Sequence, residues 1–323
     1  MTIFRRRRVA VLTNPRSGKN TKRAGLAKAL GSFLTSPRWV YAPETLQQLD
    51  RDAATIRRER HDVVAIIGGD GTASQALTRL IIEHEAHADQ PMPQVIIVPT
   101  GSMNNLATTL GQTRWPADVF VRRIVEKLAS GAPFDTAHLA MLRCGDAFGT
   151  TFGAGFPVSF LEKYYADGAG GPPGALRTVL QVLLNDALVA LPFVKRQRLI
   201  NPLSSEVTMI DGDQRVTSPY GEHTLIMAGS IETIGLNCAA LPQARRDHGK
   251  FMLRASSLSV WGLAACIGPL WIGAPLPMTF EGTTARAELR FDTPTRTMLD
   301  GDFQPATREL ALSMGPTLTF ITG

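Results

Sequence analysis

Several enzyme signatures are missing from this 323-residue sequence. Gly-x-Ser-x-Gly does not occur, so a hydrolase nucleophile elbow has no support. G-x-x-x-x-G-K-[ST] is also missing, which disfavours an ordinary P-loop enzyme. The six histidines are scattered, and none forms H-E-x-x-H or another metal-ligand pair. Cysteine is scarce: Cys144, Cys238 and Cys266 are odd in number and far apart, which excludes a disulfide framework and a C-x-x-C metal pair. Such a set suits a reducing compartment, and the expected location is the cytoplasm, with peripheral contact to a membrane. No RNA-binding aromatic signature or zinc-finger spacing is present, so nucleic acid is not an expected partner. Val9 to Asn14 is too short for a signal-peptide apolar region. Leu258 to Met278 has no charge and the length of a membrane span, but Gly262, Gly268, Pro269, Gly273, Pro275 and Pro277 interrupt it. The expectation there is a buried helix followed by a turn, with a shallow membrane-contacting surface as the functional alternative.

What is present is globular: 44% hydrophobic, 19% charged, and long enough for two domains. The net charge of +6 is partly local, in Arg5 to Arg8 and in Lys195, Arg196 and Arg198. Basic charge favours anionic partners such as nucleotide phosphates or an anionic membrane surface.

The first third alternates short apolar strands with helices, the pattern of an α/β domain with a parallel sheet. Strands are expected at Arg8–Thr13, Val63–Ile67 and Gln94–Val98, and helices at Thr21–Leu34, Leu46–Arg60 and Ala73–Glu85. After about Pro133 the texture becomes mostly β. Short strands are expected at Thr136–Arg143, Ala147–Phe152, Glu206–Ile210, Thr224–Ala228, Phe251–Ala255, Met278–Phe280 and Ala285–Phe291. Asp211-Gly212-Asp213 signals a hairpin. An amphipathic helix near Gly174–Leu191 interrupts the strands, with Leu176, Val179, Leu180, Leu183, Leu184 and Leu188 on one face. The expected division is residues 1–133, completed by 305–323, and residues 134–304.

The chemistry gathers at three polar turns, each following a predicted strand. Gly68-Gly69-Asp70-Gly71-Thr72 lies between strand and helix, where glycines let backbone amides approach phosphate oxygens. A carboxylate beside phosphates is repulsive unless a cation lies between them, so Asp70 suggests Mg2+. Asn14-Pro15-Arg16-Ser17-Gly18-Lys19 and Pro99-Thr100-Gly101-Ser102-Met103-Asn104-Asn105 are the other two, and successive strand ends would bring all three to one rim. Near the C-terminus, Asp300-Gly301-Asp302 offers two carboxylates about a glycine turn, a candidate proton acceptor for a hydroxyl.

Together these residues resemble the diacylglycerol kinase catalytic family, which includes bacterial lipid kinases and sphingosine kinases. The resemblance covers nearly the whole chain. Asn14, Pro15, Ser17 and Gly18 match its Asn-Pro-x-Ser-Gly turn, and Gly68 to Thr72 match its Gly-Gly-Asp-Gly-Thr signature in full. Pro99 to Ala107 is similar to its third turn. Asp135, Gly153 to Phe156 and Pro242 to Gly249 are similar to elements of its second domain. The resemblance implies an N-terminal domain of the NAD kinase and phosphofructokinase type, a C-terminal β-sandwich, and ATP and Mg2+ as cofactors. It implies a nucleotide site at Asn14, Ser17, Gly18, Gly68, Gly69, Asp70, Gly71, Thr72, Gly101, Ser102, Asn104 and Asn105. It implies catalytic roles for Asp302, Asp300 and Asp70, with Asp302 as general base on a lipid hydroxyl, and metal contacts at Asp70 and Asp247. The implied partner is a diacylglycerol-like or sphingoid lipid at a membrane surface, and a homodimer is compatible with the sequence. The chain departs from the family in having Asp302 for Glu, Asn105 for Asp, Ser102 for Thr, Ala42 or Pro43 for an ATP-contacting Thr, and His248 for an Asp. Alternatives are a kinase of a soluble substrate such as NAD, whose family shares the Gly-Gly-Asp-Gly-Thr loop, and a nucleotide- or lipid-binding module without turnover.

Overall fold

A computed structural model describes residues 7–14, 25, 39–87, 90–101, 104–168, 171–189, 200–235 and 237–323. The helix expected at Thr21–Leu34 lies outside them. The chain divides into two compact units, residues 1–141 with 316–323, and residues 142–315.

The first unit holds β1 (Val9–Thr13), β2 (Val40–Tyr41), β3 (Val63–Gly68) and β4 (Gln94–Pro99). They pair in parallel in the order β2-β1-β3-β4, with Val11 opposite Ala65 and Ile66 opposite Ile97. Helix α1 (Leu46–Arg58) starts where the Thr45 side chain accepts the Gln48 N–H, and it buries Leu49, Ala53 and Ile56 on one face. After it come α2 (Asp70–Glu85), α3 (Asn105–Thr109) and α4 (Ala117–Ser130). Val9, Val11, Val63, Ala65, Ile67, Ile96 and Val98 pack with Phe120, Val121, Ile124 and Val125 of α4. The alternate positions Ala10, Leu12, Val64, Ile66 and Ile97 are equally buried and point to the other face. A sheet covered on both faces explains why these strands read as unbroken apolar runs.

The second unit is antiparallel. Its strands are β5 (Thr136–Cys144, begun in the first unit), β6 (Ala147–Gly149), β7 (Thr151–Gly155), β8 (Leu203–Asp211), β9 (Gln214–Thr217) and β10 (Glu222–His223). Then follow β11 (Leu225–Gly229), β12 (Phe251–Ser256), β13 (Thr279–Thr284), β14 (Arg286–Thr295), β15 (Thr297–Leu299), β16 (Asp302–Phe303) and β17 (Thr307–Ile321). One sheet runs β13-β12-β11-β7-β15-β16, and the other contains β10-β8-β14-β17. Phe152, Ile226, Phe251 and Leu253 of the first sheet meet Val207, Ala287, Leu289 and Leu312 of the second, which makes a sandwich core. The last residues of β17 return to the first unit, where Phe320 lies parallel to Val95 of β4.

Helices α5 (Phe156–Ala166) and α6 (Gly171–Val189) follow β7, and the short α7 (Val260–Ala265) and α8 (Ile267–Trp271) follow β12. Three local expectations change. The expected strand Ala147–Phe152 is two strands, parted at Thr150. Among the described side chains of α6, Thr178 and Val182 are buried, while Leu180 and Leu184, expected on the buried stripe, are exposed. The region Leu258–Met278 is two short helices rather than one buried helix, with Trp261, Ile267, Trp271, Ile272 and Met278 exposed. No helix among the described residues is long and apolar enough to cross a membrane.

Candidate functional site

In the first unit, two of the three polar turns meet at the ends of adjacent strands β3 and β4. Gly69 is extended, with φ −92° and ψ −174°, and forms the N-cap of α2. Asp70, Gly71 and Thr72 are therefore the first turn of that helix, which starts three residues earlier than the periodicity suggests. The early N–H groups of a helix have no carbonyl partner within it, and the helix dipole favours negative charge at that end. The 16-residue α2 thus offers an anion site at its start. Gly69 and Gly101 abut through their backbones: a Cβ on Gly101 would fall 2.5 Å from the Gly69 Cα. Glycine at both positions is what lets the two turns come so close.

The β4 turn is fixed from within and from α2. Asn104, in the left-handed region at φ 51°, exchanges hydrogen bonds with Gly101: the Gly101 N–H donates to Asn104 Oδ1 at 3.0 Å, and Asn104 Nδ2 donates to the Gly101 carbonyl at 2.8 Å. The Leu106 N–H donates to Asp70 Oδ1 at 3.3 Å. Asn105 opens α3 directly after Asn104. At the end of β1, Asn14 Nδ2 approaches Thr72 Oγ1 at 3.5 Å. Asn14, Gly68 to Thr72, Gly101, Asn104 and Asn105 thus belong to one rim, and Ser17, Gly18 and Ser102 lie outside the described residues.

In the second unit, the Asp-Gly-Asp turn links β15 to β16, with Leu299 opposite Asp302. Asp300 and Gly301 both have positive φ, at 49° and 85°. Asp300 is buried, and its carboxylate accepts from the backbone N–H and the hydroxyl of both Thr150 and Thr151, at 2.8 to 3.1 Å. Burial pushes the Asp300 carboxyl above its ordinary range, against the downward pull of those donors. Asp300 therefore anchors the turn to the start of β7 and positions its neighbour. Asp302 is half-buried on β16, and the following Phe303 packs edge-on against Tyr165 of α5, with ring centroids 6.3 Å apart. The partners Thr150 and Thr151 were not singled out in the sequence, since nothing local pairs them with a residue 150 positions later.

Mg2+ is coordinated by oxygen, commonly one or two carboxylates together with substrate phosphates. Asp70, a single half-buried carboxylate at the mouth of a glycine turn, fits that arrangement. Asp247 does not fit a structural cation site. It is exposed, accepts the Thr283 hydroxyl at 2.9 Å, and lies close enough to the Lys250 ammonium to favour its charged form. Lys250 is itself paired with Asp211 at 2.8 Å. Among the described residues no three His, Cys, Asp or Glu side chains gather as a metal cluster.

Residues 8–134 match the diacylglycerol kinase catalytic domain family. No curated protein matches the chain. Two solved structures of a candidate diacylglycerol kinase from Bacillus anthracis str. Sterne are similar in fold. The first has 15% identity and a TM-score of 0.68, covering 97% of this chain and 96% of that one. The second has 17% identity and a TM-score of 0.67, with the same coverage. At such identity the likeness is one of fold, and it extends over both units. The family resemblance read from the glycine turns is thus matched by the diacylglycerol kinase catalytic domain over residues 8–134.

Proposed function

We propose that this protein is an ATP-dependent lipid kinase that transfers the γ-phosphoryl group to a hydroxyl of a diacylglycerol-like or sphingoid lipid. The observation that supports it most is the abutment of Gly69 and Gly101 at the start of α2, inside the segment that matches a kinase catalytic domain. In this reading the amides of Gly68 to Thr72, with Gly101, Asn104 and Asn105, receive the phosphates, and Asn14 steadies the rim through Thr72. Preorganised amides of this kind stabilise charge without reorganising during transfer. Mg2+, shared between Asp70 and the phosphates, would neutralise part of their charge. Asp302 accepts the proton of the acceptor hydroxyl, and Asp300 fixes the turn that presents it. Asp70 also has a structural duty toward Leu106, so its substitution has two effects to separate.

The test is transfer of labelled phosphate from ATP into a lipid extract by the wild type, Asp302→Asn and Asp70→Asn. Chloroform-soluble label, lost in Asp302→Asn while ATP still binds, is the expected result. Label confined to water-soluble product would replace the lipid reading with a soluble acceptor. Unimpaired transfer by both variants would remove the mechanism.

A further inference from the structure

We infer that the outer faces of α6, α7 and α8 form a docking surface for a lipid bilayer bearing anionic headgroups. This inference does not depend on the kinase reading.

The inference starts from packing. Val182 of α6 is buried against Val260 of α7 and Ile200, so the two helices lie side by side. Several other apolar side chains of α6, α7 and α8 are left on the outside. Leu180 and Leu184 stand one turn apart on α6, and Leu184 is 62% exposed. Trp261 on α7 is 50% exposed, Ile267 and Trp271 on α8 are also exposed, and Ile272 just beyond reaches 77%. Clustered apolar exposure of this kind marks an interaction site, whereas isolated exposed residues do not.

Composition selects the occupant. No charged residue occurs from Ala255 to Phe280, so α7 and α8 bring no ionic group of their own to the face, unlike the polar rim of an ordinary protein interface. Two indoles stand on it, and an indole is suited to the boundary of a bilayer, with its ring in the acyl region and its N–H in the wet headgroup layer. Charge agrees with this choice. Arg177 is exposed on α6, and the sequence between α6 and Ile200 contains Lys195, Arg196 and Arg198 with no acidic residue. Apolar contact combined with attraction to anionic lipid is how interfacial helices bind.

The experiment is flotation of the intact protein, without nucleotide, on phosphatidylcholine vesicles with and without phosphatidylglycerol. The wild type should float with the mixed vesicles, less so as salt rises. Trp271→Ser combined with Ile272→Ser should weaken partitioning by at least about tenfold, since both side chains leave water on binding. Circular dichroism and the thermal midpoint would verify that this variant folds. A second readout is quenching of indole emission by bromine-labelled phosphatidylcholine. The Trp261→Phe/Trp271→Phe variant should still float but lose that quenching. Equal flotation of the Ser variant and wild type, or quenching unchanged in the Phe variant, would overturn the inference. So would a dimer that the Ser variant abolishes, with no vesicle binding by either, which would make a second copy the occupant. Failure of phosphate transfer with retained flotation would count against the kinase reading alone.

Discussion

Asp70, the first residue of α2, accepts the backbone N–H of Leu106 in α3 at 3.3 Å, so one helix start caps the next. Loss of a capping acceptor costs about 1 kcal/mol. Asp70→Ala should therefore lower stability by about that amount, read from chemical denaturation. Asp70→Asn keeps an acceptor oxygen and removes the charge, so it should retain most of the stability. Equal destabilisation by both would show that the charge, not the oxygen, holds α3.

Gly101 leaves no room for a side chain above Gly69. Gly101→Ala should cost about 1–3 kcal/mol, because a backbone atom must move to admit the methyl group. Gly221→Ala is the control, since nothing lies within 4 Å of its Cβ position. A thermal midpoint unchanged by Gly101→Ala would refute the close approach.

Arg254 is fully buried on β12 and donates from Nε to Glu281 Oε2 at 2.6 Å. Removing one partner of a buried pair leaves an uncompensated charge and costs about 3–5 kcal/mol. Glu281→Ala should fall in that range, and Arg254→Met together with Glu281→Leu should cost less than Glu281→Ala alone. If the double variant is the worse of the two, the pair is itself a net source of stability.

His223 has Ser205 Oγ 3.0 Å from Nδ1 and Ser218 Oγ 2.9 Å from Nε2, which satisfies both nitrogens of a neutral ring. Burial pulls its pKa down from 6.5 to about 4. The unfolded chain therefore takes up a proton that the folded chain refuses. Stability should be full above pH 6.5 and fall as pH drops toward 4, by up to roughly 3 kcal/mol. His223→Asn should flatten this part of the curve in a pH series of denaturation midpoints. A wild-type curve already flat between those values would refute the neutral buried ring.

The Asp247 turn bears on metal dependence. The Asp247 carboxylate accepts from the Thr283 hydroxyl, and Lys250 supplies a positive charge nearby, so the fold should not require a divalent cation there. Chelator added without nucleotide should leave the thermal midpoint unchanged. A midpoint that falls with chelator and recovers with Mg2+ would contradict the assignment.

The parallel sheet was legible because its strands are covered on both faces, which turns Val63 to Ile67 into an unbroken apolar run ending in Gly68-Gly69-Asp70. Helix α4 is less legible in the sequence: Phe120, Val121, Ile124 and Val125 follow helical spacing, but Arg122, Arg123, Glu126 and Lys127 interrupt the apolar run. For α6 the helix is where its spacing predicts, but Leu180 and Leu184, expected on the buried stripe, are exposed. Amphipathic spacing shows that a stripe exists, but Val182 rather than Leu184 found a partner in Val260, and that partner lies nearly 80 positions away. The same distance effect concealed the anchoring of Asp300 by Thr150 and Thr151. The glycine turns announced themselves since their requirement is local: backbone approach needs glycine whatever the rest of the chain does.

Strand β17 has a consequence for biosynthesis. The first unit's sheet receives Phe320 beside Val95, Gln112 Nε2 donates to the Ile321 carbonyl at 2.7 Å, and Lys127 Nζ donates to the Gly323 carbonyl at 2.8 Å. The glycine turns are translated before the sandwich, yet the strand that closes their sheet is translated after it. The nascent first unit must wait, with one side of β4 unpaired, while the whole sandwich is made. An expression clone cut after residue 134 would leave that edge open to other strands, with aggregation as the outcome.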